Sequence, residues 1–222
     1  MKILAVDTSS RNCSVAVVEN NNLLAEIIKE DDETHSRHLM DMIKKVFELS
    51  GLTPFDIDCF SVTKGPGSFT GLRIGISSVK GLAVATGKPL AGISTLDALA
   101  AQLLPTPYLV CSLIDARKGE VYSSRYRFID GLIEQEMKEE AFFPDRAADG
   151  IGEPCLFVGD GASLYRNIIE KKLGNLAHFS PPLFNVIRAS TVAFMSLKKF
   201  ENKDTVDAAL LVPHYIRKSD VK

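Results

Sequence analysis

The sequence predicts an α/β protein built from two similar lobes, each a mixed β-sheet flanked by helices. Short apolar runs typical of strands alternate with runs whose apolar residues recur every three or four positions, as on one face of a helix. An Asp that ends a strand and precedes a β-hairpin occurs twice, at Val6-Asp7 and at Ile114-Asp115. The period of this weak repeat is near half the chain, which favours a duplicated lobe over a solenoid.

The first half of the chain predicts three consecutive antiparallel strands, followed by alternating helices and strands. Short polar connections join the first three strands, and Gly51, Gly87 and Pro89 supply helix-ending signals. The predicted strands cover residues 2–6, 14–18, 23–29, 59–63 and 90–93. The predicted helices cover residues 34–49, 71–86 and 95–104.

The second half repeats this order after Pro105 and Pro107, which mark the predicted boundary. Residues 1–104 form the N-terminal lobe and residues 105–222 the C-terminal lobe, whose last helix is free to pack back on the first lobe. The predicted strands cover residues 108–114, 120–128 and 155–158, with a further strand after Gly131. The predicted helices cover residues 163–173, 191–200 and 205–211. A duplicated lobe of this order is typical of the actin, sugar-kinase and heat-shock ATPase (ribonuclease H-like) fold.

Bulk composition limits the classes of function. The 222 residues include 28 acidic and 26 basic side chains, so the net charge of −2 gives no general attraction to nucleic acid or membranes. The four cysteines are scattered without a C-x-x-C pair, which predicts buried reduced thiols in a cytoplasmic protein. No signal peptide or membrane span is visible in the sequence, so we expect no association with a membrane.

The segment GPGSFTG at residues 65–71 predicts a tight turn that leads into a helix. Its spacing matches neither the P-loop nor the dinucleotide fingerprint. One interpretation is a strand-to-helix turn without a ligand, and the other is an anion site at the helix start. The candidate nucleotide or phosphate residues are Asp7, Thr8, Ser9, Gly67, Ser68 and Thr70.

Two polar turns leave alternatives open. Asp7 either faces a nucleotide or caps the hairpin turn through the N–H groups of Thr8 or Ser9. Gly159-Asp160-Gly161 is either a lost adenosine loop or a simple strand-to-helix turn.

The pair His35 and His38 stands about one helical turn apart, within reach of a shared metal. No third ligand spacing accompanies the pair, apart from the upstream acids Asp31, Asp32 and Glu33. Solvated histidines at a helix start are therefore the favoured interpretation, and no metal site is predicted.

Four segments together resemble the bacterial TsaB (YeaZ) family, and they extend from the first strand to the tail. They are ILAVDTSS at residues 3–10 with VAV at 15–17, GPGSFTGLRIG at 65–75, IDARKGEVY at 114–122 and PHYIR at 213–217. The glycine-rich segment is the most specific of the four.

This resemblance implies an indirect role in tRNA modification. Family members are non-catalytic partners of TsaD, which transfers a threonylcarbamoyl group from threonylcarbamoyl-adenylate to the tRNA adenosine next to the anticodon. A small ATPase, TsaE, joins the assembly, and tRNA is contacted only as part of the complex. The resemblance implies no tightly bound cofactor and leaves ATP or ADP open at the contact with TsaD.

A comparison with the TsaD-type relatives supports the expectation that this chain is not an enzyme. In those relatives, the segment after a Pro-Leu strand carries two metal-binding histidines four residues apart. The matching positions here are Thr95 and Leu99. Since Leu cannot ligate a metal and Thr is a poor ligand for a transition metal, the sequence predicts no catalytic metal.

A non-catalytic subunit acts through a surface, and the first two helices are the candidates. Gly71, Gly75 and Ser78 recur on one side of the second helix, which indicates close approach either by a partner or by the protein's own sheet. The predicted partner interface consists of Leu39, Met40, Ile43, Phe47, Gly71, Gly75, Ser78 and Leu82. These helices are expected to pair with two equivalent helices of TsaD, and with a second copy of this chain when TsaD is absent.

Three other classes of function remain as alternatives. The first is an ATP-dependent phosphotransferase of the acetate or sugar-kinase type, which needs phosphate loops in both lobes. The second is a peptidase, although Ser68 does not lie in a G-x-S-x-G elbow. The third is an RNA-binding module, for which the basic residues are Arg117, Lys118, Arg125, Arg127, Arg217 and Lys218.

Overall fold

The computed structural model describes residues 1–30 and 34–217, which divide into two compact units. The first unit comprises Met1–Ala98 and Ile187–His214, and the second comprises Leu99–Val186 and the segment that begins at Tyr215. The division thus falls between Ala98 and Leu99, earlier than the boundary at residues 104 and 105 expected from the prolines. Asp31, Asp32, Glu33 and Lys218 lie outside the described residues.

The first unit contains a five-stranded mixed sheet. Its strands are β1 (Lys2–Asp7), β2 (Asn12–Glu19), β3 (Asn22–Glu30), β4 (Cys59–Gly65) and β5 (Leu90–Ser94), in the spatial order β3-β2-β1-β4-β5. The first three strands are antiparallel, whereas β1, β4 and β5 run parallel. Both faces of β1 and β2 are buried, which is why these strands are almost continuously apolar.

Helices cover both faces of this sheet. Helices α1 (Leu39–Ser50) and α2 (Phe69–Thr86) pack on the face formed by Leu4, Val6, Val15 and Val17. A 3₁₀ turn at His35–Arg37 precedes α1, and left-handed Gly51 and Gly87 end the two helices. The short helix α3 (Thr95–Ala101) follows β5 directly.

The helix α6 (Ala189–Glu201) packs on the opposite face of the sheet, where Ser14 Oγ donates a hydrogen bond to the Ile187 carbonyl at 2.9 Å. Residues 187–214 therefore belong to the first unit, whereas the sequence analysis placed them in the C-terminal lobe with its last helix free to pack back on the first lobe. The Glu26 carboxylate of β3 accepts hydrogen bonds from Ser190 N and Oγ at 2.9 and 2.7 Å, which fixes the start of α6.

The second unit repeats the same connectivity. Its strands are β6 (Leu109–Arg117), β7 (Glu120–Ile129), β8 (Leu132–Phe142), β9 (Cys155–Val158) and β10 (Ala177–Phe179), ordered β10-β9-β6-β7-β8. Its helices are short: α4 (Asp160–Leu164) and α5 (Arg166–Leu173). Two mixed sheets with flanking helices confirm the predicted fold class.

Several predicted elements differ from the structure. The helix expected over residues 163–173 is divided at Tyr165 into α4 and α5, and the three-residue strand β10 was not predicted. The helix expected over residues 205–211 is wrong. Val206 instead forms an antiparallel bridge with Leu90, and Leu211 is buried in the core of the first unit.

The burial of the cysteines is as predicted. Cys13, Cys59, Cys111 and Cys155 are all reduced and buried. Among the helices in the described part of the chain, none combines the length and the apolar character needed to cross a membrane.

Candidate functional site

The turn after β1 is a buried polar cluster. Asp7 and Thr8 are fully buried, and Ser9 is 1 % exposed. Asp7 Oδ1 accepts hydrogen bonds from Ser9 N at 3.2 Å, Ser9 Oγ at 2.6 Å and Thr63 Oγ1 at 2.6 Å. The carboxylate therefore caps its own turn, which was one of the two alternatives for Asp7.

The second oxygen of Asp7 differs from the first. Asp7 Oδ2 is buried and has no hydrogen-bond partner among residues 1–30 and 34–217. Burial raises the pKa of this carboxyl above its ordinary value, against the opposing effect of the hydrogen bonds from Ser9 and Thr63. Asp7 is thus a buried acid whose charged form is disfavoured by its surroundings.

The glycine-rich turn packs directly against this polar turn. Ser68 N donates a hydrogen bond to the Ser9 carbonyl at 2.7 Å, and a Cβ on Gly67 would lie 2.3 Å from the same oxygen. Ser68 Oγ accepts a hydrogen bond from Gly71 N at 3.2 Å, so Ser68 is the N-cap of α2. The structure therefore brings together Ser9, Gly67 and Ser68, three of the predicted nucleotide residues, whereas the Thr70 side chain is exposed.

The glycines of α2 allow close approach to the protein's own first turn. A Cβ on Gly71 would lie 2.1 Å from the Thr8 carbonyl oxygen, and a Cβ on Gly75 would lie 2.2 Å from Thr8 Oγ1. Thr8 Oγ1 donates a hydrogen bond to the Gly71 carbonyl at 2.8 Å. Packing within the first unit thus accounts for both glycines.

Five of the eight predicted interface residues are buried within the chain itself. Leu39, Ile43 and Phe47 belong to the hydrophobic core under α1 and α2. Gly71 and Gly75 are buried against Thr8. Met40 is 52 % exposed, and Ser78 and Leu82 are half-buried, so these three remain accessible to a partner.

A groove of about 490 Å³ lies between the start of α1 and the outer face of α2, and we call it the α1–α2 groove. It is lined by Ser36, Leu39, Met40, Phe69, Thr70, Arg73, Ile74, Ser77 and Ser78. The Arg73 guanidinium lies 3.8 Å from the centre of the Phe69 ring. Sequence reasoning missed Phe69, Arg73 and Ser77, although their spacing of four residues indicates one exposed helical face.

The interpretation of His35 and His38 as solvated is wrong. His35 is 7 % and His38 is 9 % exposed, and their rings form an edge-to-face pair with centroids 5.7 Å apart. The fully buried Cys13 lies beside them. Burial raises the pKa of the Cys13 thiol to about 12. The signal for Cys13 was the alternation of Cys13, Val15 and Val17, which all point toward α1.

In the second unit, Gly159-Asp160-Gly161 is a strand-to-helix turn that binds the end of β6. Asp160 Oδ1 accepts hydrogen bonds from Asp115 N at 3.0 Å and Gly161 N at 2.7 Å. A Cβ on Gly159 would lie 2.1 Å from the Leu113 carbonyl oxygen. Burial raises the pKa of Asp160.

The basic residues expected as an RNA-binding strip are engaged in local contacts. Arg127 forms ion pairs with Glu136 and Glu153, and Arg117 forms one with Asp115 at 3.4 Å. Arg125 donates hydrogen bonds to the backbone carbonyls of Ala147 and Asp149, and Arg217 pairs with Glu120. Local acceptors therefore engage Arg117, Arg125, Arg127 and Arg217.

The positions that hold metal-binding histidines in the TsaD-type pattern belong to the core here. Thr95 is fully buried and Leu99 is 1 % exposed. Neither residue type is a suitable metal ligand.

The two mixed sheets and their duplicated strand order have the fold of the actin, heat-shock and sugar-kinase class. The structure resembles component A of (R)-2-hydroxyglutaryl-CoA dehydratase from Acidaminococcus fermentans, with a TM-score of 0.53, 13% identity and coverage of 90% of this chain and 98% of the other. It also resembles the ethanolamine utilization protein EutJ from Carboxydothermus hydrogenoformans, with a TM-score of 0.54, 12% identity and coverage of 87% and 90%. At these identities the likeness is one of fold alone.

Closer relatives identify the family. The family model "TsaD: tRNA N6-adenosine threonylcarbamoyltransferase" matches residues 22–222. TsaB of Bacillus subtilis (strain 168), a tRNA threonylcarbamoyladenosine biosynthesis protein, is 31% identical over 100% of this chain and 96% of its own length. TsaB of Haemophilus influenzae is 30% identical over 98% and 94%. YeaZ from Pseudomonas aeruginosa has a TM-score of 0.83 at 26% identity and covers 96% of this chain and 99% of its own. The chain therefore belongs to the TsaB (YeaZ) family.

Proposed function

We propose that this chain is a non-catalytic subunit that binds TsaD and supports formation of threonylcarbamoyladenosine on the tRNA adenosine next to the anticodon. The observation that carries this proposal is the α1–α2 groove. The predicted interface residues that are accessible in this groove are Met40 and Ser78. A partner pair of helices lying along α1 and α2 would form a four-helix contact.

The chemistry of the groove suits a helical protein partner. Met40, Ile74 and the nearby Leu82 offer apolar surface, and Met and Arg are enriched in the cores of protein interfaces. Ser77 and Ser78 are small, which lets the ridge of another helix enter the groove. The Arg73 guanidinium over the Phe69 ring supplies a flat, charged rim.

Three residues support a role without catalysis. Thr95 and Leu99 occupy the TsaD-type histidine positions as core residues. Ser68, the serine of the glycine-rich turn, accepts a hydrogen bond from Gly71 N as a helix cap, which is a structural role.

The burial of Asp7 disfavours the alternative of an ATP-dependent phosphotransferase. A kinase of this fold uses a carboxylate at the end of the first strand to hold a metal–phosphate group. Here that carboxylate is fully buried and one oxygen already accepts three hydrogen bonds. In this proposal the chain binds no cofactor tightly, and any ATP or ADP lies at the contact with TsaD.

The remaining partners follow from the same assignment. TsaE and tRNA are reached through the complex with TsaD, in the cytoplasm. In the absence of TsaD, the α1–α2 groove would be covered by a second copy of this chain, since a self-complementary apolar patch favours a twofold dimer.

The test is size-exclusion chromatography with light scattering on this chain alone and mixed with TsaD from the same organism. A homodimer that converts to a heterodimer is expected. Met40→Asp places a charge in the groove and should weaken TsaD binding by about 30-fold, the loss typical of an interface hot spot. Leu49→Asp is the matched control, because Leu49 is 59 % exposed on the same helix and lies about 180° from Met40 around its axis.

Two outcomes would contradict the proposal. If the wild-type chain and TsaD elute separately at micromolar concentration, the partner assignment is wrong. If Met40→Asp and Leu49→Asp bind TsaD equally well, the groove is not the interface. Circular dichroism of both variants checks that each is folded.

A further inference from the structure

Outside the α1–α2 groove, residues 1–30 and 34–217 contain one cluster of metal-ligating side chains, in the first unit. We propose that Cys13, His35 and His38 form a binding site for a single transition-metal ion, with Zn²⁺ the preferred occupant. Cys13 lies on β2, His35 in the 3₁₀ turn, and His38 immediately before α1. One ligand atom from each of the three side chains lies within 4.8 Å of the other two. This inference does not depend on the proposed function.

The hydrogen bonding of His35 fixes which nitrogen is available. His35 Nε2 lies 2.8 Å from the Ser10 carbonyl oxygen. Because a carbonyl only accepts, Nε2 donates its proton there and Nδ1 keeps its lone pair. Nδ1 is buried and meets no hydrogen-bond partner in the described part of the chain.

This arrangement is the usual one for a metal-ligating histidine. The second nitrogen of such a ring almost always donates to a backbone carbonyl or carboxylate, which orients the ring and fixes its tautomer. In this chain the Ser10 carbonyl plays that part for His35. A buried nitrogen lone pair, on a ring that is held in place next to a thiol and a second imidazole, is an acceptor that a cation can satisfy.

The spacing of the three ligands suits a tetrahedral ion after a small contraction. With Zn–S and Zn–N bonds of about 2.3 and 2.0 Å, neighbouring ligand atoms lie about 3.5 Å apart, so the cluster would close by roughly 1 Å. The His35 and His38 rings meet at an interplanar angle of 82°, so a nitrogen of each ring can turn to one point without the rings stacking.

The ligand types select the class of metal. One thiolate and two imidazoles suit Zn²⁺ and its neighbours in the transition series, whereas Mg²⁺ and Ca²⁺ require oxygen ligands. Three protein ligands leave a fourth tetrahedral position for water. The ion would join β2 to the start of α1, and its proton balance is simple: the Cys13 thiol releases one proton to solvent as the metal–sulfur bond forms.

Cobalt substitution tests the site directly. Untagged, chelator-treated full-length chain is titrated with Co²⁺ and followed by absorption spectroscopy. We expect a thiolate-to-cobalt charge-transfer band and the visible bands of tetrahedral Co²⁺, saturating at one ion per chain and displaced by Zn²⁺. Cys13→Ala should abolish the charge-transfer band. His35→Gln should weaken Co²⁺ binding by more than about tenfold, the lower limit seen even for residues that only support a ligand.

Cys59→Ala is the matched control, since Cys59 is also a buried strand cysteine but lies outside the cluster. It should leave the cobalt spectrum unchanged. A second measurement covers the case in which Cys13→Ala does not fold: Zn²⁺ should raise the melting temperature of the wild-type chain and not that of His35→Gln. The proposal is overturned if the wild-type chain shows no charge-transfer band, or if Co²⁺ binding is unchanged in His35→Gln, which would indicate an adventitious ion only.

Discussion

The two units share one strand order but differ at the turn that follows the first strand of each sheet. In the first unit that turn is buried, with Asp7 and Thr8 fully enclosed. In the second unit, β6 and β7 are joined by a tight hairpin in which Arg117, Lys118 and Gly119 all have positive φ. The side chains of Asp115 and Arg117 are 14 % and 78 % exposed.

The reason for the difference is what packs on the turn. In the first unit, Gly71 and Gly75 bring the backbone of α2 into contact with Thr8. In the second unit, Asp160 of the short α4 accepts a hydrogen bond from Asp115 N, and Arg217 donates one to the Ala116 carbonyl. The shared topology therefore accommodates the long helix α2 in the first unit, because the glycine face of α2 allows close contact with the turn after β1. The α1–α2 groove depends on this helix.

The largest expected effect comes from filling that glycine contact. Gly71→Ala places a methyl group about 2.1 Å from the Thr8 carbonyl oxygen and should lower the free energy of unfolding by about 3 kcal/mol, the upper range for overpacking. Urea denaturation followed by circular dichroism measures this change.

Gly81→Ala is the control on the same helix. Apart from its chain neighbours and the adjacent backbone of its own helix, no atom among residues 1–30 and 34–217 lies within 4 Å of a Cβ built on Gly81, so alanine should stabilise α2 by up to about 1 kcal/mol. If Gly71→Ala behaves like Gly81→Ala, the contact with Thr8 does not set the position of α2.

A smaller effect is expected from Glu26, the β3 carboxylate that accepts hydrogen bonds at the start of α6. Glu26→Ala removes the acceptor for Ser190 N, Ser190 Oγ and Arg188 Nε, the last at 3.0 Å. Loss of these charge-assisted bonds from a side chain that is 5 % exposed should cost about 2 kcal/mol in urea denaturation.

The second unit offers the contrasting carboxylate. Glu153 pairs with Arg127 at the surface, and Arg127 keeps its bond to Glu136 when Glu153 is removed. Glu153→Ala should therefore leave the urea midpoint unchanged. Equal losses of stability for Glu26→Ala and Glu153→Ala would show that the burial of Glu26 does not determine how much its hydrogen bonds contribute to stability.

The third effect is a pH trend centred on Asp7. Burial raises the pKa of Asp7 in the folded chain, so the folded state binds this proton more tightly than the unfolded state. The carboxyl therefore supports folding at low pH and opposes it as pH rises through its ordinary value of 3.8 toward the raised value. The stability of wild type relative to Asp7→Asn should fall over that interval.

Urea midpoints of wild type and Asp7→Asn, measured in parallel from pH 4 upward (roughly the ordinary Asp range), give this difference. Asp160→Asn provides the same comparison in the second unit, since burial also raises the pKa of Asp160. A difference that does not vary with pH would mean that Asp7 titrates as it does in the unfolded chain.

Much of the fold was accessible from the sequence because local signals agreed with the tertiary structure. The apolar runs of β1 and β6 and the helix-ending Gly51 and Gly87 are examples. Local sequence patterns did not predict the elements whose conformation depends on tertiary contacts. The three-residue strand β10 forms by pairing with β9, and residues 205–211 lie against β5 in a non-helical conformation.

The candidate site was harder to predict for a related reason. An apolar helical stripe shows which residues avoid water but not whether a sheet or a partner covers them, so the burial of Leu39 and Phe47 in the core of the first unit could not be predicted. The cluster of Cys13 with His35 and His38 depends on β2 lying under the start of α1, a contact between segments distant in sequence.

The burial of all four cysteines has a practical consequence for fluorescence work. All four thiols are buried in the folded wild-type chain, so a maleimide dye does not reach them. A single cysteine introduced at the exposed Ser77 would therefore be labelled selectively, without removing any native residue. The dye would then lie in the α1–α2 groove and report by its emission when another molecule covers it.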